Sequence, residues 1–116
     1  MDTEYIYQII TLGVKACVDR DAVKFASLFT PSGEIILKKD QKIVKPDIER
    51  VTRDYFASLE YIKINVLSVM IQGNRACLEW LWEDFNQVKQ QKNSQENLIL
   101  ITFEEDLIQR WREYRG

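Results

Sequence analysis

The sequence predicts an α+β fold in which three helices cover one face of an antiparallel sheet. Apolar residues recur every three or four positions through most of the first half of the chain, as on the buried face of a helix. From Tyr61 onward they recur at every second position, as in strands with one buried face. The predicted order is helix, helix, strand, helix and then four antiparallel strands, in a single domain that spans residues 1–116.

The helices are predicted from capping residues and apolar stripes. Thr3 caps the first helix, which residues 19–21 end, and Asp21 caps a short second helix that residues 31–33 end. Pro46 suits the first turn of the third helix, where a backbone N–H has no partner to lose. The three stripes are Ile6, Ile9, Ile10, Gly13, Val14 and Cys17; then Ala22, Phe25, Ala26 and Phe29; and then Ile48, Val51, Tyr55 and Leu59.

The strands are predicted from alternating polarity and turn chemistry. Residues 73–74, Gly-Asn, are a strong two-residue hairpin signal, and residues 105–106 are placed at the turn of the closing hairpin. Residues 39–42 are predicted to be a polar turn, and residues 86–95 a polar loop. The five predicted strands are residues 34–38, 61–72 and 75–85, and the two arms of the closing hairpin, 96–114.

Counting outward from the two turns predicts which side chains share a face of the sheet. This register places Leu67 opposite Trp80 and Leu98 opposite Glu113. One face then carries few polar groups and is predicted to cover the helices; its members are Asn65, Leu67, Val69, Leu78, Trp80, Trp82, Leu98, Leu100, Gln109, Trp111 and Glu113.

The reverse face of the predicted sheet mixes aliphatic side chains with charges of both signs. It is more apolar than a solvated face normally is, so a homodimer packed through this outer face is predicted. Its members are Ile64, Val66, Met70, Ile99, Ile101, Phe103, Glu79, Glu83, Arg110 and Arg112.

Glu113 is the predicted catalytic acid or base. Among three tryptophans it would be poorly solvated, which raises the pKa of a carboxyl group. The pocket predicted around it comprises Tyr55, Asn65, Leu67, Trp80, Trp82, Leu98, Leu100, Gln109 and Trp111, with Asn65 and Gln109 as hydrogen-bonding groups. Two alternatives stay open: Glu113 is solvated or salt-bridged at a pocket mouth, or the tryptophans simply fill a solid core.

Composition excludes several classes of function. The chain has no histidine, which removes Ser-His-Asp and Cys-His nucleophile systems and histidine-ligated metals; no metal or cofactor is predicted. The net charge of −2, with interleaved basic and acidic residues, argues against nucleic-acid binding. Cys17 and Cys77 are predicted to be free thiols in the cytoplasm, with a disulfide between them as the alternative, and no secretory signal or membrane segment is predicted.

Three segments resemble the SnoaL-like branch of the nuclear transport factor 2-like domains: residues 21–35, 75–83 and 103–114. The resemblance implies a cone in which a curved sheet wraps around three helices and encloses a pocket, and it implies frequent dimers. Functions in this superfamily range from isomerases, cyclases, dehydratases and epoxide hydrolases to ligand-binding and scaffolding domains.

The limonene epoxide hydrolase branch offers a comparison at single residues. Glu113, following Trp111 and Arg112, is similar to its catalytic aspartate, but Trp80 and Trp82 stand where its arginine and second aspartate are expected. The sequence therefore predicts that the protein binds a small apolar molecule. The predicted activity is that of a carboxylate-dependent isomerase or lyase. The alternative is a non-catalytic dimeric interaction module with a filled pocket.

Overall fold

The structure is a computed structural model and describes residues 2–116. Within these residues, three helices and six strands follow one another along the chain. They are α1 (Thr3–Val18), α2 (Ala22–Ser27), β1 (Phe29–Lys38), β2 (Gln41–Val44), α3 (Lys45–Ala57), β3 (Leu59–Gln72), β4 (Arg75–Asn86), β5 (Gln91–Glu104) and β6 (Leu107–Arg115).

The strands form one sheet, which is curved and unclosed, in the order β2-β1-β6-β5-β4-β3. The predicted α+β class is therefore confirmed. The sheet is mixed rather than wholly antiparallel, because β1 pairs in parallel with β6 while the other neighbours are antiparallel. In the described part of the chain, no helix is long and apolar enough to cross a bilayer.

The helix caps agree with the sequence at two of three positions. The Asp21 carboxylate accepts a hydrogen bond from the backbone N–H of Lys24 at 3.0 Å, and Pro46 lies in the first turn of α3, as predicted. The cap of α1 is Asp2 rather than Thr3; its carboxylate accepts from the backbone N–H of Glu4 at 2.9 Å. An aspartate cap is a stronger acceptor and also interacts favourably with the helix dipole.

Three predicted boundaries are wrong. Helix α2 ends at Ser27, so residues 31–33 lie inside β1 rather than between a helix and a strand. The end of the predicted polar turn at residues 39–42 belongs to β2, which was not predicted. Residues 91–95 belong to β5 and not to a loop: the Asn86 side chain accepts hydrogen bonds from the backbone N–H groups of residues 88 and 89, closing a tight turn immediately after β4.

Both predicted hairpin turns are present, but the register beyond each turn is displaced by one residue. Gln72 pairs with Arg75 and Glu104 with Leu107, as the turns require. Leu67 and Gln109 are then bulge residues without a partner across the strand pair. Such a displacement transfers every later side chain to the other face of the sheet. The pairs that result are Val66 with Trp80, Ile64 with Trp82, Ile101 with Trp111 and Ile99 with Glu113.

The displaced register corrects the predicted faces. Ile99, Ile101 and Phe103 were expected on the outer face, yet they are at most 1% exposed and lie in the core. Leu98 was expected inside, yet it pairs with Glu79 and is 39% exposed. Leu100 moves to the outer face in the same way, paired with Cys77 and Arg112.

Candidate functional site

A cavity of about 320 Å³ lies between the inner face of the sheet and the helices. All three helices and five of the strands contribute to its wall. The apolar part of the wall consists of Cys17, Phe25, Ile35, Leu37, Ile43, Val51, Phe56, Trp80, Trp82 and Trp111. The polar part consists of Thr52, Tyr55, Asn93, Gln95, Asn97, Glu113 and Arg115. The polar side chains come chiefly from β5 and β6, so polarity is concentrated on one side.

The three tryptophans form a continuous aromatic wall. The ring centroid of Trp80 lies 5.5 Å from that of Trp82 and 5.9 Å from that of Trp111. Phe25 of α2 then meets Trp111 edge to face at 5.4 Å. Trp80 and Trp111 are 1% and 2% exposed, so they are core residues and cavity-lining residues together.

Glu113 lies on the cavity wall beside Trp111. The two residues are two positions apart on β6, so their side chains project from the same face. The Trp111 Nε1–H donates a hydrogen bond to Glu113 Oε2 at 3.0 Å, and an Arg115 guanidinium nitrogen lies 3.8 Å from Oε1. Burial raises the pKa of the Glu113 carboxyl, and the Trp111 hydrogen bond and the Arg115 charge oppose that shift.

Cys17 reaches the same cavity from α1 and is buried. Burial and the negative charge of Glu113 both raise the pKa of its thiol. Since the thiolate and not the thiol is the nucleophile, this environment disfavours nucleophilic chemistry at Cys17. The residue fills space in the wall, as predicted from its place in the stripe of the first helix.

A second tryptophan and carboxylate pair lies next to the cavity on β4. Asp84 is 2% exposed, and its Oδ2 accepts hydrogen bonds from the Trp82 Nε1–H at 2.8 Å and the Tyr55 O–H at 2.7 Å. Burial raises the pKa of the Tyr55 phenol, and the hydrogen bond to Asp84 adds to the effect. Sequence reasoning missed this group, although Trp82-Glu-Asp84 repeats the spacing of Trp111-Arg-Glu113.

Five residues predicted for the pocket do not line this cavity. Asn65 pairs with Leu81 on the outer face, where Leu98 and Leu100 also lie. Leu67 is the bulge residue of β3 and is 45% exposed. The fifth, Gln109, is the bulge residue of β6.

The Gln109 side chain connects β6 to β1 instead. Its Oε1 accepts hydrogen bonds from the Thr30 hydroxyl at 2.6 Å and the Ser32 hydroxyl at 3.3 Å. In place of Asn65 and Gln109, the cavity takes polar side chains from β5, of which residues 93 and 95 were assigned to the loop and residue 97 to the closing hairpin. The signal was their period of two: Asn93, Gln95 and Asn97.

No metal site is apparent in the part of the chain that the structure describes. Residues 2–116 contain no group of three or more His, Cys, Asp or Glu side chains placed to hold an ion. The chemistry that this arrangement offers is proton transfer by Glu113 and hydrogen bonding by the neighbouring amides.

Comparisons with known proteins identify the fold. No protein-family model matches the chain, and no curated protein matches its sequence. Its structure is similar to an LEH-like epoxide hydrolase from Mycobacterium tuberculosis, with a TM-score of 0.86, 10% identity and coverage of 98% of this chain and 84% of that one. It is similar to a protein assigned as a SnoaL-like polyketide cyclase from Shewanella denitrificans, with a TM-score of 0.85, 10% identity and coverage of 99% and 92%.

A third similar structure is a protein from Catenulispora acidiphila with a ketosteroid isomerase-like fold, in complex with trimethylamine. Its TM-score is 0.82 at 13% identity, over 91% of this chain and 83% of that one. Together these matches show that the chain has the SnoaL-like, nuclear transport factor 2-like fold. At such low identity they show the fold alone, and the function has to be argued from the site.

Proposed function

We propose that this chain, with its nuclear transport factor 2-like fold, binds a small and largely apolar molecule in the cavity and transfers a proton through Glu113. One observation carries the proposal: a carboxyl group whose pKa is raised by burial lies on the wall of a mainly apolar cavity. Such a group can donate a proton when neutral and accept one when ionised, at a pH nearer neutrality than an exposed carboxyl.

The size and lining of the cavity support ligand binding. Its volume of about 320 Å³ lies within the range of small-molecule sites, which begins at about 300 Å³. The tryptophan wall offers flat apolar surface for stacking, and the polar side supplies hydrogen-bonding groups that orient a ligand. Among proteins of this fold, the one from Catenulispora acidiphila was solved with a small amine, which agrees with such a use of the fold.

An isomerase or a lyase suits a single carboxyl group best. In an isomerisation, ionised Glu113 takes a proton from a carbon next to a carbonyl and returns it to another carbon of the conjugated system. In an elimination, it takes the proton while the leaving group departs from the adjacent carbon with the bonding electrons. Both reactions need one group that exchanges a proton and a dry wall around it, which Trp80 and Trp111 provide.

Binding is tested by filling the cavity. Val51 of α3 lines it, whereas Val23 of α2 is 61% exposed and does not. Binding of naphthalene and similar flat molecules is followed by saturable quenching of tryptophan fluorescence. We expect Val51→Phe to lower their affinity by about tenfold, since overpacking the cavity costs about 1–3 kcal/mol. The matched control, Val23→Phe, should bind as the wild type does. Unchanged fluorescence of the wild type across a broad panel would instead favour a filled interaction module.

We also propose that the protein forms a homodimer through the outer face of the sheet. Although Ile99, Ile101 and Phe103 do not lie on this face, other apolar side chains do. Met70, Leu81, Leu98 and Tyr114 are between 39% and 62% exposed there, beside the charges of Glu79 and Arg112. A two-fold axis through such a patch would bury it against its own copy.

The oligomeric state is tested by placing a charge in this patch. Leu98→Lys is expected to give the 13.8 kDa mass of one chain in light scattering, while the wild type at micromolar concentration gives twice that mass. Lysine is chosen because Glu79 lies directly across the strand pair and can accept the charge within one subunit. Val23→Lys, an exposed change on α2, should remain dimeric. A wild-type mass of one chain would contradict the proposal.

A further inference from the structure

One positively charged side chain, that of Arg115, belongs to the cavity wall. Among the cavity-lining residues of the described chain, Arg115 is the only basic one and Glu113 the only acidic one. The Arg115 side chain is 50% exposed and Tyr55 is 44% exposed, whereas Trp111 and Cys17 on the same wall are 2% and 4% exposed. Arg115 and Tyr55 therefore mark the side on which the cavity opens to solvent.

Strand pairing fixes the position of Arg115. It is the last residue of β6 and pairs with Asn97 of β5, and the backbone N–H of Gly116 donates to the Glu96 carbonyl at 2.8 Å. Glu113 and Arg115 are two positions apart, so their side chains project from the same face of the sheet. The backbone that carries the guanidinium is thus part of the sheet.

The guanidinium of Arg115 has donors to spare. An arginine side chain carries five N–H donors in a planar fork. The one ion pair of Arg115 in residues 2–116, with Glu113, has an N–O distance of 3.8 Å, which is too long for a hydrogen bond. Since half of the side chain is in contact with solvent, a ligand that enters the cavity can reach these donors.

The positive charge of Arg115 is only partly balanced by its neighbour. Burial raises the pKa of the Glu113 carboxyl, and the opposing influences of Trp111 and Arg115 do not cancel that shift. The folded protein therefore favours the neutral carboxyl more than an exposed glutamate would. Whenever Glu113 is neutral, the cavity wall carries a cation without a counter-charge, and an anionic ligand can supply one.

We propose that Arg115 binds a carboxylate group of the ligand at the opening of the cavity. The planar guanidinium matches a carboxylate through two parallel hydrogen bonds. A phosphate dianion fits less well, because the wall offers a single positive charge beside an ionisable carboxyl group. The inference rests on the proposed function and names its ligand class: small carboxylic acids with one charge and an apolar body.

The spacing along β6 suits such an amphipathic ligand. Residues two apart in a strand have Cα atoms about 7 Å from each other, so Arg115 lies about 7 Å beyond Glu113 and about 13 Å beyond Trp111. A ligand whose carboxylate meets Arg115 can therefore place an apolar ring against the tryptophan wall. The carbon atoms between its two ends would then lie near Glu113, where the proposed proton transfer takes place.

Three probes of similar shape test the subsite on the wild-type protein. At neutral pH, 2-naphthoate is an anion, 2-naphthamide is neutral and 2-naphthylmethylamine is a cation. We expect titration calorimetry to give an affinity for 2-naphthoate about three- to tenfold higher than that for 2-naphthamide. This range lies between those of exposed ion pairs and of buried charged hydrogen bonds. In ¹H–¹⁵N spectra, the Arg115 Nε–H signal should move when 2-naphthoate binds.

A pair of variants assigns the preference to Arg115. Arg115→Met keeps an unbranched apolar stem and removes the charge, so it should lose the preference for 2-naphthoate while its affinity for 2-naphthamide stays within about twofold. Arg110→Met is the matched control on the same strand. It removes the same charge from a residue that does not line the cavity and lies 3.9 Å from Glu34, so it should keep the preference.

The outcomes separate this inference from the proposed function. Equal affinity for 2-naphthoate and 2-naphthamide, or tightest binding of the cation, would overturn the carboxylate subsite and leave ligand binding intact. A preference retained in Arg115→Met, or an Arg115 signal that does not move with bound 2-naphthoate, would place the carboxylate elsewhere and also overturn it. If none of the three binds at millimolar concentration, the proposed function is contradicted and the subsite falls with it.

Discussion

Trp111→Ala is expected to lower the free energy of unfolding by about 3–5 kcal/mol, the largest loss from any single truncation that we predict. The Trp111 ring is 2% exposed and packs against Phe25, Phe29 and Trp80, with centroid distances of 5.4, 6.4 and 5.9 Å. The space that the ring leaves would join the existing cavity and make a larger void. Domains of this size are stable by only about 5–15 kcal/mol, so much of the stability would be lost.

Urea denaturation followed by circular dichroism measures this loss. Trp111→Phe keeps one aromatic ring in this position and loses part of the packing together with the hydrogen bond to Glu113; we expect a smaller loss than for alanine. Tyr7→Ala is the exposed aromatic control, at 54% exposure on α1, and should cost less than about 1 kcal/mol. A Trp111→Ala loss no larger than that of the control would show that the indole is not part of a packed wall.

Glu113→Gln is expected to lower the kcat of the reaction by about 10²- to 10⁴-fold once a substrate is identified, with little change in substrate affinity. Glutamine preserves the shape of the side chain and can still accept the Trp111 hydrogen bond, but it cannot exchange a proton. Glu104→Gln, an exposed change in the same hairpin, is the matched control and should leave kcat unchanged. Unchanged turnover in Glu113→Gln would remove the carboxyl group from the mechanism.

The same variant is expected to change how stability depends on pH. Burial raises the pKa of Glu113 in the folded protein above that of the unfolded chain. The native state therefore favours the neutral carboxyl, and its stability falls as pH rises from about 4.3, the ordinary pKa of glutamate, through the raised folded pKa. Glutamine carries no such charge, so Glu113→Gln should become progressively more stable than the wild type over this range.

Unfolding midpoints in urea, measured from pH 4 to pH 8, check this dependence. Glu104→Gln should follow the wild-type curve, since its carboxylate is exposed. Parallel curves for Glu113→Gln and the wild type would show that folding does not disfavour the charge. A gain in stability with a loss of turnover is the pattern of a residue kept for function.

The two hairpins show how far local chemistry predicts this fold. The turn at residues 73–74 was predicted correctly because Gly-Asn favours a two-residue loop, and period-two alternation identified the strands on either side of both turns. The bulges could not be predicted in the same way. The β6 bulge at Gln109 accompanies hydrogen bonds to Thr30 and Ser32 of β1, which are distant in sequence and meet Gln109 only in the folded sheet.

The same limit explains what was predicted of the site. Glu113 and the tryptophans were identified because a carboxylate two residues after an indole is a local pattern. Asn93 and Gln95 were missed because a strand that lines a polar patch has the composition of a loop, and only the cavity shows why its side chains are polar. Asn97 was missed because the predicted register put it on the outer face with Ile99. Asp84 could have been predicted from the sequence, since its spacing from Trp82 is the same as that of Glu113 from Trp111.

The parallel pairing of β1 with β6 determines when the site can form during synthesis. These strands are the first and last of the sheet along the chain, and β6 carries both Trp111 and Glu113. A nascent chain that has emerged only through β5 contains the helices and strands β3, β4 and β5. It still lacks Glu113 and Trp111, whose indole donates a hydrogen bond to the Glu113 carboxylate. Since β6 supplies part of the wall, the cavity cannot be completed before β6 has been synthesised and paired with β1.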